Sequence, residues 1–259
     1  MINNNPIGLF DSGIGGTSIW TAINQLMPSE DTIYLADSKN APYGQKSKDE
    51  IIALSIKNTD FLLARNAKII VVACNTATTN AIKELRSLYA IPFIGIEPAI
   101  KPAAIHSKTQ TIGILATKGT LSSELFNKTV EMYQDTKIVE QIGHGLVELI
   151  EDGKIDSIEM TSLLNSYLQP MIEADIDYLV LGCSHFPYLI PKITELLPKH
   201  IKIIDSGQAV ARQTQKILEE TVGFHSIQKE SQNIFYTNGN PKVLADIMLN
   251  KYPINQKAF

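Results

Sequence analysis

A weak internal repeat limits the fold of this chain more than any other feature of its sequence. Three pairs of short segments match at nearly one spacing: Ile7–Phe10 with Ile112–Leu115, Val71–Thr76 with Val180–His185 and, approximately, Ile94–Glu97 with Ile203–Asp205. Gly8 and Gly113 are 105 residues apart, and Cys74 and Cys183 are 109 apart. Any two halves of a chain built from strands and helices share some composition, but the nearly constant spacing favours two similar folding units.

Apolar runs of strand length alternate with segments of helical periodicity. The predicted strands are Ile7–Phe10, Thr32–Ala36, Lys68–Ala73, Phe93–Ile96, Thr111–Ala116, Lys137–Gln141, Tyr178–Leu181 and Lys202–Ile204. Most of them lack polar alternation, which is typical of a parallel sheet covered by helices on both faces. Between them, spacings such as Ile82, Leu85 and Leu88 predict amphipathic helices. The sequence therefore predicts an α/β fold with mostly parallel sheets.

The repeat also predicts how the chain is divided. The first unit ends near Glu97 and the second near Asp205, and the tail after the second unit returns to pack on the first. We therefore expect two pseudo-symmetric α/β domains, residues 1–97 with 208–259 and residues 98–207, with the active site in the cleft between them.

The chain has two cysteines, and the repeat makes their positions equivalent. Cys74 and Cys183 each follow a predicted buried strand and precede a predicted helix. Ligands bind at this edge of open α/β sheets, and helix N-termini carry a partial positive charge that favours a thiolate. If the two units face each other, one sulfur can take a proton from a ligand while the other supplies one to its opposite side. That arrangement would invert a stereocentre.

Other roles for these residues are open. A single Cys at the end of a strand is usually a small buried apolar residue, and it is the pairing that favours chemistry. Cys183 and His185 could also suggest metal ligation, but no C-x-x-C or H-x-x-x-H spacing accompanies them in the sequence, so we expect no metal. The glycine-rich loop Asp11–Thr17 fits neither a dinucleotide fingerprint nor a P-loop, and suits a small anion such as a carboxylate better.

Charge and hydropathy argue against several classes of partner. A net charge of -4, a pI near 5.8 and the lack of a basic stripe argue against nucleic acid. No apolar run approaches the length of a membrane span, and residues 1–6 lack the features of a secretion signal. We therefore expect a cytoplasmic protein without membrane contacts, whose cysteines stay reduced.

Five motifs, taken in order, resemble those of the glutamate racemases. They are Phe10–Gly16, Ala41–Gly44, Ala73–Ala77, Ile114–Thr120 and Leu181–Pro187. The resemblance extends from about Pro6 to Ile217. Ser184 stands where the family usually has Thr, which keeps the hydroxyl, and His144–Gly145 stands where relatives commonly have Cys-Pro. The second departure bears on the local backbone before Glu151 and not on the reaction.

The resemblance implies interconversion of L- and D-glutamate without cofactor or metal, supplying D-glutamate for peptidoglycan. It implies that Cys74 takes the α-proton from D-glutamate with Asp11 beside it, and that Cys183 takes it from L-glutamate with His185 and Glu151 beside it. The residues implied to hold the substrate are Asp11, Ser12, Pro42, Tyr43, Gly44, Cys74, Asn75, Thr76, Thr117, Thr120, Cys183, Ser184 and His185. Amides and hydroxyls of this kind suit its carboxylates. The resemblance leaves a homodimer open.

Three other functions fit parts of the pattern. A related enzyme acting on aspartate would keep both cysteines and change only the pocket. A two-lobed receptor for a small dicarboxylate explains the cleft and the glycine-rich loop, but not the paired cysteines. A redox switch predicts that oxidation joins the two thiols and needs no spacious ligand cleft.

Overall fold

The computed structural model describes residues 2–226 and 230–259, which form two β-sheets with helices packed around them. The strands within these residues are β1 (Ile7–Asp11), β2 (Thr32–Ala36), β3 (Ile69–Val72), β4 (Phe93–Gly95), β5 (Thr111–Ala116), β6 (Lys137–Ile142), β7 (Tyr178–Gly182), β8 (Lys202–Ile204), β9 (Asn233–Thr237) and β10 (Ile254–Gln256). The α-helices are α1 (Thr17–Leu26), α2 (Lys48–Leu63), α3 (Asn75–Leu88), α4 (Ile100–His106), α5 (Lys118–Leu121), α6 (Glu124–Glu131), α7 (Leu146–Glu151), α8 (Ile158–Glu173), α9 (Ile190–Leu196), α10 (Gly207–Ile217) and α11 (Pro241–Ile247).

The two sheets share one strand order. The larger sheet has the order β10-β9-β2-β1-β3-β4 and the smaller one the order β6-β5-β7-β8, and every strand pair in the described part of the chain is parallel. The set β2-β1-β3-β4 therefore has the same arrangement as β6-β5-β7-β8. This shared order is the structural counterpart of the sequence repeat, and it confirms the predicted α/β fold with parallel sheets.

The central strands are buried on both faces. β1, β2, β3 and β5 are buried at every position. In β3, Ile70 and Val72 pack in one apolar cluster with Leu62, whereas Ile69 and Val71 pack in another. Successive side chains of a strand point to opposite faces, so a sheet with helices on both sides needs apolar residues at every position. This explains why the apolar runs lack polar alternation.

All eight predicted strands are present, and their ends differ from the prediction by at most one residue. The sequence analysis missed β9 and β10, which extend the larger sheet beyond β2. Both come from the tail, so the larger sheet is built from both ends of the chain. α10 packs against α1 of the same half. The predicted domain boundaries at residues 97/98 and 207/208 stay a prediction.

The chain crosses between the two sheets twice, and the crossings lie side by side. The hydroxyl of Ser206 donates a hydrogen bond to the carbonyl oxygen of Glu97. The connection after β4 and the connection after β8 are therefore in direct contact. Within residues 2–226 and 230–259, no helix combines the length and the apolar character needed to cross a membrane.

Candidate active site

The candidate site lies where the carboxyl ends of the two sheets face each other. Segments that follow β1, β2, β3, β5, β6 and β7 surround one small pocket. Its lining residues are Ser12, Pro42, Tyr43, Gly44, Cys74, Asn75, Thr76, Thr117, Val147, Cys183, Ser184 and His185. Of these, only Val147 is absent from the sequence prediction. The pocket encloses about 10 Å³ of free space, which is room for about one water molecule.

Cys74 lies between β3 and α3, and its side chain caps the helix. Its Sγ accepts a hydrogen bond from the Ala77 N–H at 3.4 Å and contacts the Ser12 Oγ at 3.7 Å. Burial raises the pKa of the Cys74 thiol well above its usual range, and the charge of Asp11 adds to the rise. The Ala77 amide and the Ser12 hydroxyl lower this pKa by less, so the neutral thiol is favoured at this position.

Cys183 occupies the corresponding place after β7, but no α-helix begins there. A 3₁₀ turn spans Phe186–Leu189 and leads into α9, so the predicted helix N-terminus directly after Cys183 is wrong. The Cys183 Sγ instead contacts the Nδ1 of His185 at 3.8 Å. The Nε2 of the same ring lies 2.6 Å from Oε1 of Glu151. A sulfur, an imidazole and a carboxylate therefore form one line of contacts.

The imidazole in this line carries a proton readily. His185 is only 1% exposed, and burial by itself lowers its pKa. Hydrogen bonds to Cys183 and Glu151, together with the charge of Asp11, outweigh burial and raise the pKa of His185 well above its usual range. A proton on this ring places a positive charge beside the Cys183 sulfur.

Asp11 lies between the two cysteine neighbourhoods. Its Oδ2 accepts a hydrogen bond from the Gly16 N–H at 2.9 Å and lies 4.0 Å from the Nδ1 of His185. Its Oδ1 accepts from the Ser184 hydroxyl at 3.1 Å. Burial raises the pKa of Asp11, while the positive charge of His185 and the Gly16 amide oppose that rise. Asp11, which was predicted beside Cys74, thus also contacts Ser184 and His185.

The glycine-rich loop binds carboxylates of the protein itself. Gly13 and Gly16 donate their N–H groups to Asp11, and Ile14 donates its N–H to Oε1 of Glu151 at 2.7 Å. A Cβ on Gly13 would lie 1.8 Å from the same Glu151 oxygen, so the approach requires glycine. The sequence predicted that this loop suits a small anion, and three of its amides bind the protein's own carboxylates. Glu151 and Asp11 therefore lie behind the pocket wall, where they support the residues that line it.

Both thiols line one pocket, and comparisons with known proteins identify the family of this chain. A sequence model of the Asp/Glu/Hydantoin racemase family matches residues 15–214. The chain belongs to this family. It is 41% identical over 247 residues to the glutamate racemase of Herpetosiphon aurantiacus, a match that covers 95% of this chain and 97% of that protein.

Two solved structures are similar to this chain over nearly its whole length. Glutamate racemase isoform RacE1 from Bacillus anthracis has a TM-score of 0.87 at 28% identity, covering 99% of this chain and 98% of that one. Escherichia coli glutamate racemase, in complex with L-glutamate and the activator UDP-MurNAc-ala, has a TM-score of 0.87 at 30% identity, covering 98% of each chain. The resemblance inferred from the five motifs is confirmed, and it extends over nearly the whole chain.

One wall of the racemase pocket carries an unpaired polar group. Asn75 is 2% exposed, and neither its Oδ1 nor its Nδ2 has a hydrogen-bond partner among the residues that the structure describes. Buried polar groups are normally hydrogen-bonded, so this amide beside Cys74 points to a ligand. The first N–H groups of α3 also lack acceptors within the helix and lie at the same wall.

Three threonine hydroxyls bridge the two halves of the racemase. The Thr76 Oγ1 is 2.8 Å from that of Thr117 and 3.3 Å from that of Thr120, and the last two are 3.1 Å apart. Thr76 belongs to the first turn of α3, whereas Thr117 caps α5 and Thr120 belongs to its first turn. Thr120 is fully buried and lies behind the other two. The three hydroxyls satisfy one another in the closed pocket and can turn toward a carboxylate that enters it.

Tyr43 is held by residues that the sequence analysis did not single out. Its hydroxyl donates to Oδ2 of Asp37 at 2.5 Å and accepts from the Asn58 amide at 3.1 Å. Tyr43 and Gly44 line the pocket together with Val147. No motif marks Asp37, Asn58 or Val147, because an acidic residue after a strand, an Asn in a helix and a Val in an apolar run are common in any α/β protein.

Proposed function

We propose that this protein interconverts L- and D-glutamate by a two-base mechanism in which Cys74 and Cys183 act on opposite faces of the α-carbon. The observation that carries the proposal is that both thiols line one pocket, each from the carboxyl end of the equivalent strand of its sheet. A redox switch joining these thiols would not need the unpaired Asn75 amide or the threonine hydroxyls around them.

The charge environments of the two sulfurs support one assignment of the protons. Cys183, beside the protonated His185, takes the α-proton of L-glutamate as a thiolate. Cys74, held as a neutral thiol, gives its proton to the opposite face and yields D-glutamate. The reverse reaction starts from the opposite protonation state, with Cys74 as the thiolate. His185, supported by Glu151, stabilises the anionic sulfur at Cys183 in the first case.

Substrate binding makes use of the polar wall. The Asn75 amide, the Ser12 and Ser184 hydroxyls and the amides at the start of α3 suit the α-carboxylate, whose negative charge grows as the α-proton leaves. The threonine hydroxyls suit the second carboxylate. Free space of about 10 Å³ does not admit glutamate, so the two halves separate for substrate entry and close on it. Closure then excludes water from the reacting carbon.

The proposal includes the biological role inferred from the resemblance. D-glutamate made by this reaction serves peptidoglycan synthesis, the enzyme acts in the cytoplasm, and its substrate is free glutamate. The reaction uses neither metal nor organic cofactor. Each turnover moves one proton onto one sulfur and one proton off the other, and proton exchange with water then returns the pair to its starting state.

Deuterium exchange tests the proposal. In deuterated water, L-glutamate incubated with the protein should lose optical rotation and gain deuterium at Cα. Cys74→Ala and Cys183→Ala should each abolish inversion while the far-ultraviolet circular dichroism stays that of the wild type. Absence of exchange with the wild type would sink the racemase assignment, and full activity in either variant would sink the two-base mechanism. The same assay with aspartate tests the competing substrate.

A further inference from the structure

Tyr34 is a buried polar residue that no step of the proposed mechanism uses. It belongs to β2, is fully buried and does not line the pocket. Its hydroxyl donates a hydrogen bond to the carbonyl oxygen of Gly13 at 2.8 Å. Burial raises the pKa of Tyr34 well above its usual range, and the charge of Asp11 adds to the rise. The hydroxyl therefore keeps its proton and remains a donor.

The Gly13 carbonyl and the N–H of Ile14 belong to one peptide group. This peptide is trans, so its C=O and N–H bonds point in nearly opposite directions. The carbonyl accepts the Tyr34 hydroxyl on one side, and on the other side the Ile14 N–H donates to Oε1 of Glu151 at 2.7 Å. A donor on the carbonyl also polarises the peptide and strengthens its N–H as a donor. Tyr34 therefore orients the amide that holds Glu151.

The neighbouring peptides of the loop have other anchors. The Gly13 N–H, which belongs to the preceding peptide, donates to Asp11. The Ile14 carbonyl, which belongs to the next peptide, accepts from the Thr17 hydroxyl at 2.6 Å. Among the residues that the structure describes, only Tyr34 donates a hydrogen bond to the Gly13 carbonyl. The direction of the Ile14 N–H therefore depends on this one hydroxyl.

The ring of Tyr34 is held by elements at a distance from the loop in sequence. It packs near Phe235 of β9, with ring centroids 5.8 Å apart, and Phe235 packs on Trp20 of α1 at 4.9 Å. A Cβ on Gly16 would lie 2.9 Å from the Tyr34 hydroxyl oxygen, so the glycine makes room for this hydroxyl inside the loop. The tail strand β9 therefore helps to place a donor within the glycine-rich loop.

We propose that Tyr34 is a positioning residue of the active site, acting through the Gly13–Ile14 peptide and Glu151. Its hydroxyl directs the Ile14 amide to Oε1 of Glu151, and that oxygen lies 2.6 Å from Nε2 of His185. The Glu151 side chain is 14% exposed, so without the amide its carboxylate can turn to water and away from the ring. A rotated peptide would also point the Gly13 carbonyl oxygen at this carboxylate and repel it. Because Tyr34 acts on His185 beside Cys183, its role rests on the proposed function.

Titration of His185 tests this role. The charged and titratable groups that face its ring are Cys183 of the same segment, Glu151 of α7 and Asp11 of β1. Glu151 raises the pKa of His185, so Tyr34→Phe should lower this pKa, in the same direction as Glu151→Gln and by a smaller amount. Nitrogen NMR of the ring measures the shift without substrate. The kcat/KM for glutamate should fall about threefold to tenfold, the effect of one hydrogen bond.

A double variant separates positioning from a general loss of packing. In a Glu151→Gln background no carboxylate charge is left to place, so Tyr34→Phe should leave the His185 titration unchanged and change kcat/KM by less than about twofold. Phenylalanine keeps the ring packed near Phe235, so the far-ultraviolet circular dichroism should stay that of the wild type. Tyr89→Phe is the control, because it removes a hydroxyl that donates to Asp60, outside the pocket lining. It should change neither quantity.

An unshifted His185 titration in Tyr34→Phe overturns the proposal. An equal loss of kcat/KM with and without the Glu151 carboxylate overturns it as well, because the hydroxyl would then act by another route. The ring titration needs no turnover, so these outcomes differ from a failure of the proposed function, which would appear as absence of deuterium exchange in the wild type.

Discussion

The surroundings of Cys74 and of Cys183 differ in chemistry although the two residues end equivalent strands. Cys74 starts a helix of 14 residues, accepts the Ala77 N–H and lies near the charge of Asp11. Cys183 starts no helix and contacts His185, whose ring is backed by Glu151. A duplicated fold therefore provides equal positions, while the side chains around each position decide which sulfur holds the proton.

Thermodynamics limits how the difference between the two cysteines can appear in the kinetics. L- and D-glutamate have equal free energies in water, so neither is favoured at equilibrium. Every substitution must then change kcat/KM for both directions by the same factor. The asymmetry between the two cysteines can appear only in kcat and KM taken separately, in the isotope effect of each direction, and in the pH dependence.

The largest effect is expected for His185→Gln, which removes the cation beside Cys183. The kcat/KM should fall by about 10³, and proton abstraction from L-glutamate should become the slowest step. The primary isotope effect with α-deuterated L-glutamate should then increase, while that with D-glutamate should not. His200→Gln, an exposed histidine, is the control. Equal isotope effects in both directions would show that His185 does not serve Cys183 in particular.

Much of this arrangement could be predicted from the sequence, because it follows from strand ends. Parallel strands in one sheet place their carboxyl ends side by side, so residues after β1 and β3 had to meet. The edge strands could not be predicted. Asn233–Thr237 is a short run with polar residues at both ends, and Ile254–Gln256 has one apolar residue. Each is a strand only because a neighbouring strand offers it a free edge to pair with.

A smaller effect is expected for Asp11→Asn, which acts on the Cys74 side. Asp11 raises the pKa of Cys74 by charge repulsion, so removing the charge should lower that pKa. The kcat should fall about 10²-fold, because the neutral thiol is the form that protonates the carbanion. Thiolate absorbance in a Cys183→Ala background measures the pKa of Cys74 directly. Asp135→Asn, an exposed carboxylate, should change neither quantity, and an unshifted titration in Asp11→Asn would contradict the assignment.

Glu151→Gln should act on the Cys183 side mainly through His185, which contacts Oε1 of Glu151. Its carboxylate raises the pKa of His185, so the neutral amide should lower that pKa, and the imidazolium should be lost at a lower pH than in the wild type. The alkaline limb of the kcat/KM profile should move to lower pH, with a loss of about tenfold on the alkaline side. Nitrogen NMR of the His185 ring follows the same proton. Asp152→Asn, the exposed next residue, should leave the profile in place.

The contacts among these charged groups could not be read from the sequence. Glu151 ends a short helix before a glycine with positive φ, and any exposed helix end has that pattern. The loop around Gly13, from the other half of the molecule, approaches Glu151 and holds its carboxylate against His185. Contacts of this kind depend on how two units pack, and motif spacing contains no information on that packing.

The smallest effect is expected for Thr76→Val, which separates substrate binding from proton transfer. Valine keeps the shape of threonine and removes the hydroxyl, while Thr117 and Thr120, 3.1 Å apart, still satisfy each other. The loss of one hydrogen bond to a substrate carboxylate should raise KM about fivefold and leave kcat, both isotope effects and the pH profile unchanged. A change in kcat comparable to that of His185→Gln would mean that Thr76 positions the Cys74 thiol. Groups near Cys74 that bind the substrate would then also control the proton of its thiol.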